Sequence, residues 1–176
     1  ADASIKQKLR AVLSCGKPAV IDADGLNNLD DELKKLLSLR HVLTPHPGEM
    51  ARLTGKSIED VLRDPAGFAE NTAKAFGCIV LLKGAVSVAA HPDGRLRYNA
   101  SGNPGLAKGG SGDVLTGIIT ALLAQGLEPF DAASAGAYIL GSSAESALEL
   151  LHERALTAGD VLDAIEKTAG ITEHRN

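Results

Sequence analysis

The spacing of apolar residues changes along the chain and predicts helices and strands in turn. At the start, apolar residues recur every third or fourth position, which is typical of one helical face, and Gly16 and Pro18 end that helix. Residues 86–90 and 95–98 flank a Pro92-Asp93-Gly94 turn and predict a β-hairpin. Short segments with apolar centres, typical of buried strands, occupy residues 19–22, 41–44 and 78–82.

Helical patterns fill the intervals between these strands and the rest of the chain. They cover residues 31–39, 48–53 and 113–125, and further helices begin at Ser57, Pro65, Pro129 and Thr157. Alternating strands and helices predict an α/β fold, with a mostly parallel sheet and helices on its faces. The three helices that follow the glycine-rich segment 101–112 would cover one side. We find no repeat and no linker, so residues 1–176 are expected to form one domain.

The amino-acid composition argues against several classes of function. The 22 acidic and 18 basic residues give a formal net charge of −4 without a dense basic block, which argues against nucleic-acid and anionic-membrane surfaces. Aromatic residues make up 3% of the chain, so stacking platforms for bases are excluded. No apolar run approaches the ~20 residues of a membrane helix. We expect a cytoplasmic protein with small molecules or other subunits as partners, and with Cys15 and Cys78 reduced.

The strongest chemical signal is the glycine loop at residues 108–112, which runs into the predicted helix at Asp113. Glycines let the backbone approach a ligand closely, and the free N–H groups of a helix's first turn, with its dipole, bind anions. Asp113 at the rim of such a site can accept a proton from an attacking hydroxyl group. The alternative is that Ser111 only caps the helix while Asp113 complements its dipole. The P-loop and dinucleotide motifs do not fit, because they need other residues at Gly109 and Leu115.

Polar residues also follow each of the three predicted strands. Ligands of open α/β sheets bind at the carboxyl ends of strands, so Lys83 can meet a phosphate there, and His46 with Glu49 can hydrogen-bond a substrate. The alternatives are a surface lysine beside a turn, and a rigid turn with Glu49 in the first turn of a helix. The polar residues after the first strand either hold a divalent cation through water or form local turn hydrogen bonds. They are Asp22, Asp24 and Asn27.

Four segments occur in one order along nearly the whole chain. They are DADGLN at residues 22–27, LTPHPGEM at 43–50, LKGA at 82–85 and GNPGLAKGGSGDVLTG at 102–117. The series resembles the ADP/ATP-dependent NAD(P)H-hydrate dehydratases, which are repair enzymes of the ribokinase-like superfamily. The resemblance implies a ribokinase-like α/β fold, a three-layer sandwich with helices on both faces of the sheet. It also favours the functional interpretation of the glycine loop.

The resemblance implies a two-step reaction. Hydrated NADH or NADPH is phosphorylated by ADP on its ring hydroxyl and then loses phosphate, which restores NAD(P)H and leaves AMP. Asp113 would take the hydroxyl proton, while the amides of Gly110, Ser111 and Gly112 would hold the phosphoryl group. His46, Glu49 and Arg52 would face the hydrated nicotinamide. The nucleotide would bind Lys83, Gly84, Ala85, Val86, Ser87, Asn103, Gly109, Gly110, Ser111 and Gly112. A Mg²⁺ ion with unassigned ligands is expected, and ATP is a possible substitute for ADP.

The sequence departs from the family at its start. Family members carry an N-terminal portion, with the first strands and glycine-rich segments that close over the substrate, ahead of the point where this chain begins. The resemblance therefore implies that the chain is the C-terminal part of the family's domain, with a sheet edge and part of the pocket open. We expect the remaining portion to come from a second chain or a longer precursor, and identical units to assemble.

Two other functions are compatible with the same residues. A ribokinase-like kinase for a vitamin precursor or sugar would use the same loop and aspartate but would leave a stable phosphorylated product. A non-catalytic nucleotide-binding fragment would bind ADP without turnover. Product analysis after incubation with hydrated NADH and ADP separates these functions from the dehydratase.

The expected missing portion predicts that active material contains more than this chain. The intact mass of purified active protein measures this directly, because the present chain accounts for 18.1 kDa. A single 18.1 kDa species that is active alone contradicts the expectation.

Overall fold

Five short strands form one sheet, in the order in which they occur along the chain. The computed structural model describes residues 2–148, 152 and 155–168. The strands are β1 (Ala19–Ile21), β2 (His41–Leu43), β3 (Ile79–Leu82), β4 (Ser87–Ala90) and β5 (Leu96–Asn99). β1, β2 and β3 pair in parallel, and β4 and β5 continue the sheet as an antiparallel hairpin. Four strands therefore run in one direction, which confirms the predicted mostly parallel sheet.

The helices lie where the sequence predicts them, except for the single-turn helix Asp24–Asn27, where the sequence predicts a polar turn, and for two differences at helix ends. They are α1 (Ala3–Ser14), α2 (Asp24–Asn27), α3 (Asp31–Lys34), α4 (Pro47–Thr54), α5 (Ile58–Arg63), α6 (Pro65–Phe76), α7 (Ser111–Ala124), α8 (Pro129–Ala147) and α9 (Ala158–Thr168). The predicted helix over residues 31–39 ends at Lys34, and the backbone bonds of Leu36 and Leu37 then span three residues, as in a turn. α7 begins two residues earlier than predicted, at Ser111.

Two apolar layers cover the two faces of the sheet. Successive strand residues point to opposite faces, so Leu43 and Val80 face the layer of α1 to α6, while Val42 and Ile79 face the layer of α7 to α9. Each layer is built from buried aliphatic side chains. The arrangement confirms the three-layer sandwich and places the last three helices on one side, as predicted. None of the described helices is long and apolar enough to cross a membrane.

Local signals in the sequence set several helix ends. The side chains of Ser57 and Asp64 accept hydrogen bonds from the first turns of α5 and α6, and Pro65 occupies the first position of α6. Gly55 and Gly77 end α4 and α6 in the left-handed conformation, which glycine adopts without steric cost. These helices therefore begin and end for reasons that are readable in the sequence.

His41, the first residue of β2, introduces a pH dependence of stability. Its side chain is buried, and Nδ1 accepts a hydrogen bond from the Ser38 amide at 3.1 Å, while Nε2 has no partner among the described residues. Burial, together with the neighbouring Arg40 charge, lowers the pKa of His41. The unfolded chain therefore binds a proton at this residue more readily than the folded protein does.

We expect the free energy of unfolding to fall as the pH drops through about 6.5, the ordinary pKa of histidine. Denaturant unfolding at pH 7.5 and 5.5 measures the fall. The fall should be smaller in His41→Gln, which cannot take up the proton. Equal pH dependence in the two proteins contradicts a role for His41.

Candidate active site

A cluster of three charged side chains joins the carboxyl ends of β1 and β3 to the start of α4. The Lys83 ammonium lies 2.8 Å from Asp22 Oδ1 and 3.9 Å from Glu49 Oε2. These side chains are only 23%, 14% and 6% exposed, respectively. Because the strands are parallel here, their carboxyl ends meet at one edge of the sheet. Lys83 is therefore not the surface lysine of the alternative interpretation.

The first turn of α7 lies against this charged cluster. A Cβ atom at Gly112 would lie 3.1 Å from Asp22 Oδ2 and 3.7 Å from Lys83 Nζ. The absence of a side chain at Gly112 lets the helix backbone approach the carboxylate and the ammonium closely. The structure thus brings together Asp22, Glu49, Lys83 and the glycine loop, which lie far apart in the sequence.

No side chain caps the N-terminus of α7. The cap residue is Gly110, with φ of +94°, and the helix has no side-chain cap hydrogen bond. The alternative in which Ser111 caps the helix is therefore wrong. The amides of the first turn remain available to an anion, and the dipole of a 14-residue helix favours negative charge there. Asp113, the third residue of the helix, is exposed and makes no hydrogen bond or ion pair with the described residues.

His46 and Glu49 form a capping box at the start of α4. His46 Nδ1 accepts from the amides of Gly48 and Glu49 at 3.0 and 3.3 Å, while Glu49 Oε2 accepts from the His46 amide at 2.8 Å. This bonding agrees with the alternative of a structured turn. Glu49 also faces Lys83, and half of the His46 side chain is exposed. Both side chains therefore hold the helix start and lie at the edge where the cluster forms.

The remaining polar residues after β1 make direct bonds within the protein. Arg52 Nε donates to Asn27 Oδ1 at 3.1 Å, so the two predicted site segments are tied together. Because Asn27 is bonded to Arg52, Asp22, Asp24 and Asn27 are not gathered into a cation site of their own. Within the described ranges, no group of three or more His, Cys, Asp or Glu side chains is arranged to hold a metal.

The backbone between Asp22 and Asp24 is strained. Ala23 has φ of +45° and ψ of −116°, and it is the one non-glycine residue with positive φ in the described chain. Such a conformation costs about 1–3 kcal/mol and persists where the surrounding structure enforces it. The strain coincides with the turn that delivers Asp22 to the Lys83 ammonium.

The predicted nucleotide segments differ in exposure. Gly84, Ala85 and Val86, in the turn between β3 and β4, are exposed. Asn103 is half-buried: its Oδ1 accepts from the Gly105 amide at 3.0 Å, while its Nδ2 atom is buried without a partner among the described residues. An unpartnered buried amide group is unfavourable unless a ligand or water bonds to it.

Sequence reasoning missed a cavity beside the glycine loop. The cavity has a volume of about 260 Å³, and it lies between the loop and the segment that leads into α9. The cavity is lined by both polar and apolar side chains. Lys108 and Ser111 belong to the glycine-loop side, and the apolar side chains on the side of the segment leading into α9 are Ala155, Leu156, Ala158 and Val161. The one local signal there, Thr157 capping with Asp160, predicts a helix start but not a cavity.

Replacing Lys83 by Met is expected to leave Asp22 and Glu49 without their positive partner. An unsatisfied buried polar group costs about 1–3 kcal/mol, and we expect the free energy of unfolding to fall by that amount. Chemical denaturation at pH 7 measures the change. Lys74→Met is the matched control, because Lys74 pairs with Glu70 at the surface of α6, where a pair contributes about 0.2–1 kcal/mol. Equal losses in the two variants would contradict a special role for Lys83.

The chain matches a known protein family and several of its individual members. Residues 1–167 match the NAD(P)H-hydrate dehydratase family. The bifunctional NAD(P)H-hydrate repair enzyme of Moorella thermoacetica is 48% identical over 148 residues, which is 83% of this chain and 28% of that protein. The ADP-dependent (S)-NAD(P)H-hydrate dehydratase of Neisseria meningitidis is 44% identical over 153 residues, which is 84% of this chain and 52% of that protein. The chain thus spans about half or less of these relatives.

Solved structures share the fold. The ADP/ATP-dependent NAD(P)H-hydrate dehydratase of Bacillus subtilis, co-crystallised with ATP and Mg²⁺, superposes with a TM-score of 0.84 at 31% identity. The match covers 97% of this chain and 60% of that one. A ribokinase-like superfamily protein of Enterococcus faecalis matches at 26% identity, with a TM-score of 0.75, over 97% of this chain and 60% of its own. The predicted ribokinase-like fold is confirmed, and the chain belongs to the NAD(P)H-hydrate dehydratase family.

Proposed function

We propose that the chain carries the phosphoryl-transfer site of an ADP-dependent (S)-NAD(P)H-hydrate dehydratase. The observation that carries the proposal is the uncapped first turn of α7, which combines open amides, the exposed Asp113 carboxylate and the neighbouring Lys83 cluster. Family membership and the names of the relatives supply the reaction. The ring hydroxyl of hydrated NAD(P)H attacks the terminal phosphorus of ADP, and AMP leaves. The ring C–O bond then breaks as phosphate departs, and loss of a ring proton restores the double bond.

The amides of Gly110, Ser111 and Gly112 would hold the transferring phosphoryl group. Amide donors that are fixed before the reaction stabilise developing negative charge, and losing one such donor costs about 10²–10³ in rate. The positive end of the α7 dipole acts in the same direction. The Lys83 ammonium would add a positive charge beside these amides, because it already lies next to Gly112.

Asp113 would act as the base. Its carboxylate is exposed at the same helix end and is not engaged by other described side chains, so it is free to accept the hydroxyl proton. A positioned general base contributes about 10²–10⁴-fold to the rate. Phosphorylation matters because phosphate is a far better leaving group than hydroxide.

The two substrates would bind on neighbouring surfaces. The turn at Lys83, Gly84, Ala85, Val86 and Ser87 would bind the adenine nucleotide, with Asn103 and Gly109 contributing from the loop. The unpartnered Nδ2 of Asn103 supports this assignment, because a ligand acceptor would satisfy it. His46, Glu49 and Arg52 would face the hydrated nicotinamide. The half-exposed ring of His46 and the exposed side chain of Arg52 are accessible for this role.

The charged cluster fits a Mg²⁺ ion. Two carboxylates, Asp22 and Glu49, share the single Lys83 ammonium, which leaves excess negative charge where the phosphates are proposed to bind. Mg²⁺ in phosphate sites is held by one or two carboxylates together with the substrate's phosphates, and Asp22 and Glu49 would supply them. When bound, the ion would neutralise part of the phosphate charge and so favour attack by the hydroxyl group.

The pocket would be completed by further chain. β1 is an edge strand of the sheet, and the relatives extend well beyond the matched region. We therefore propose that residues 1–176 form the C-terminal part of the family's domain. The remaining part would belong to a longer form of this protein or to a second chain. Activity measurements should include both this chain alone and the chain with that part supplied.

Hydrated NADH mixed with the protein, ADP and Mg²⁺ is expected to regain the NADH absorbance at 340 nm, with AMP and phosphate as the other products. Asp113→Asn should lower the rate by about 10²–10⁴-fold, since the base is lost, while ADP affinity changes little. Stopped-time assays and calorimetry measure the two quantities.

Asp131→Asn is the control, because Asp131 is likewise the third residue of a helix that lacks a side-chain cap hydrogen bond; unlike Asp113, it pairs with an arginine, Arg97. It should leave the rate within about twofold of the original protein, as expected for a surface substitution. Equal rates in the Asp113 and Asp131 variants would exclude the proposed base. A stable phosphorylated product would identify a kinase, and ADP binding without turnover would identify a binding fragment.

A further inference from the structure

The first residues of the glycine-rich segment, Ser101 and Gly102, lie directly against helix α8. A Cβ atom at Gly141 would lie 2.6 Å from both the carbonyl carbon and the carbonyl oxygen of Ser101. These are backbone atoms, so they cannot rotate away as a flexible side chain would. A Cβ atom at Gly102, where φ is +111°, would in turn lie 3.4 Å from the Cα atom of Gly141. The two backbones are thus in contact, and position 141 has no room for a side chain.

Hydrogen bonds hold the same segment on α8. The Gly102 amide donates to Glu145 Oε1 at 2.7 Å. A bond to a carboxylate is roughly twice as strong as a bond between neutral groups. The Asn99 side-chain amide donates to the Ala137 carbonyl oxygen of α8 at 3.2 Å, and its Oδ1 accepts from the Ser101 hydroxyl at 2.8 Å. Steric contact and hydrogen bonds therefore fix the segment at the point where it leaves β5.

α8 also packs against α7, the helix to which the segment leads. A Cβ atom at Gly136 would lie 3.6 Å from the Cα atom of Ile119, so these helices approach closely. Helix α8 therefore contacts the chain on both sides of the segment: at Gly102, where the segment begins, and at Ile119 of α7, which follows the segment. These two contacts set the distance that residues 102–110 must span.

We infer that Gly141 and Glu145 are positioning residues for the anion site at the start of α7. They act through the backbone of residues 102–110, and they hold this segment in one conformation before a ligand arrives. Ordering a loop in advance removes the entropic cost of ordering it on binding, and it aligns donors with the phosphoryl group. The inference rests on the proposed function only in naming a nucleotide phosphate as the anion.

Gly141→Ala is expected to displace the segment and to increase its mobility. Hydrogen–deuterium exchange of the amides of residues 102–112 should become faster, and ADP binding should weaken about tenfold, as for loss of one hydrogen bond to a charged group. Exchange followed by mass spectrometry and calorimetry measure the two effects. Gly67→Ala in α6 is the control, because its Cβ atom would displace the Asp64 cap side chain in the layer on the opposite face of the sheet; it should lower thermal stability and leave both quantities unchanged.

Glu145→Ala removes the hydrogen bond to the Gly102 amide without introducing a steric conflict. This variant tests the inference even if Gly141→Ala does not fold. It should accelerate exchange at residues 102–112, and Glu145→Gln should restore most of the protection because its amide oxygen can still accept. Unchanged exchange in Gly141→Ala and Glu145→Ala would overturn the inference. Failure of Glu145→Gln to restore protection from exchange would also overturn it. Hydrogen–deuterium exchange requires neither nucleotide nor turnover. If the unsubstituted protein binds no ADP, the proposed function is refuted, but the exchange measurements still test whether Gly141 and Glu145 hold the segment in place.

Discussion

The Lys83 ammonium is the interaction on which the geometry of the candidate site depends. It bonds to Asp22 at the end of β1 and faces Glu49 in the first turn of α4, so parts of the chain that are distant in sequence meet at one point. Removing solvent from two carboxylates is costly unless a positive group lies beside them. The ion pair thus specifies how the carboxyl ends of the parallel strands are arranged. It also determines the charge that an incoming phosphate encounters.

The first turn of α7 is open because its cap residue, Gly110, and its second residue, Gly112, both lack a side chain. An ordinary N-cap side chain at Gly110 would occupy one of the first-turn amides, and a side chain at Gly112 would press on Asp22 Oδ2. Glycine at both positions keeps the amides open and the helix close to the charged cluster. This end of the helix is therefore less well satisfied within the chain than the capped starts of α5 and α6. An anion would supply the missing interactions.

Features that depend on neighbouring residues could be predicted from the sequence. Apolar runs located β1 to β3, the Pro-Asp-Gly turn located the hairpin, and Pro65 with Gly77 bounded α6. Features that depend on tertiary packing could not. The pairing of Lys83 with Asp22, the contact of Glu145 with Gly102 and the lining of the cavity by Leu156 all join residues that are distant in the sequence. No spacing rule in a single sequence reports such contacts, and the role of Asp113 was suggested by family resemblance more than by its local pattern.

The sheet combines two kinds of strand connection, and this has a consequence for how the chain folds. β3, β4 and β5 are joined by short turns, so their pairing closes small loops at little entropic cost. The parallel pairing of β1, β2 and β3 needs helical crossovers between strands, and it forms contacts of high sequence separation. We therefore expect the edge that brings Asp22, Glu49 and Lys83 together to assemble after the hairpin, because its contacts span longer stretches of chain.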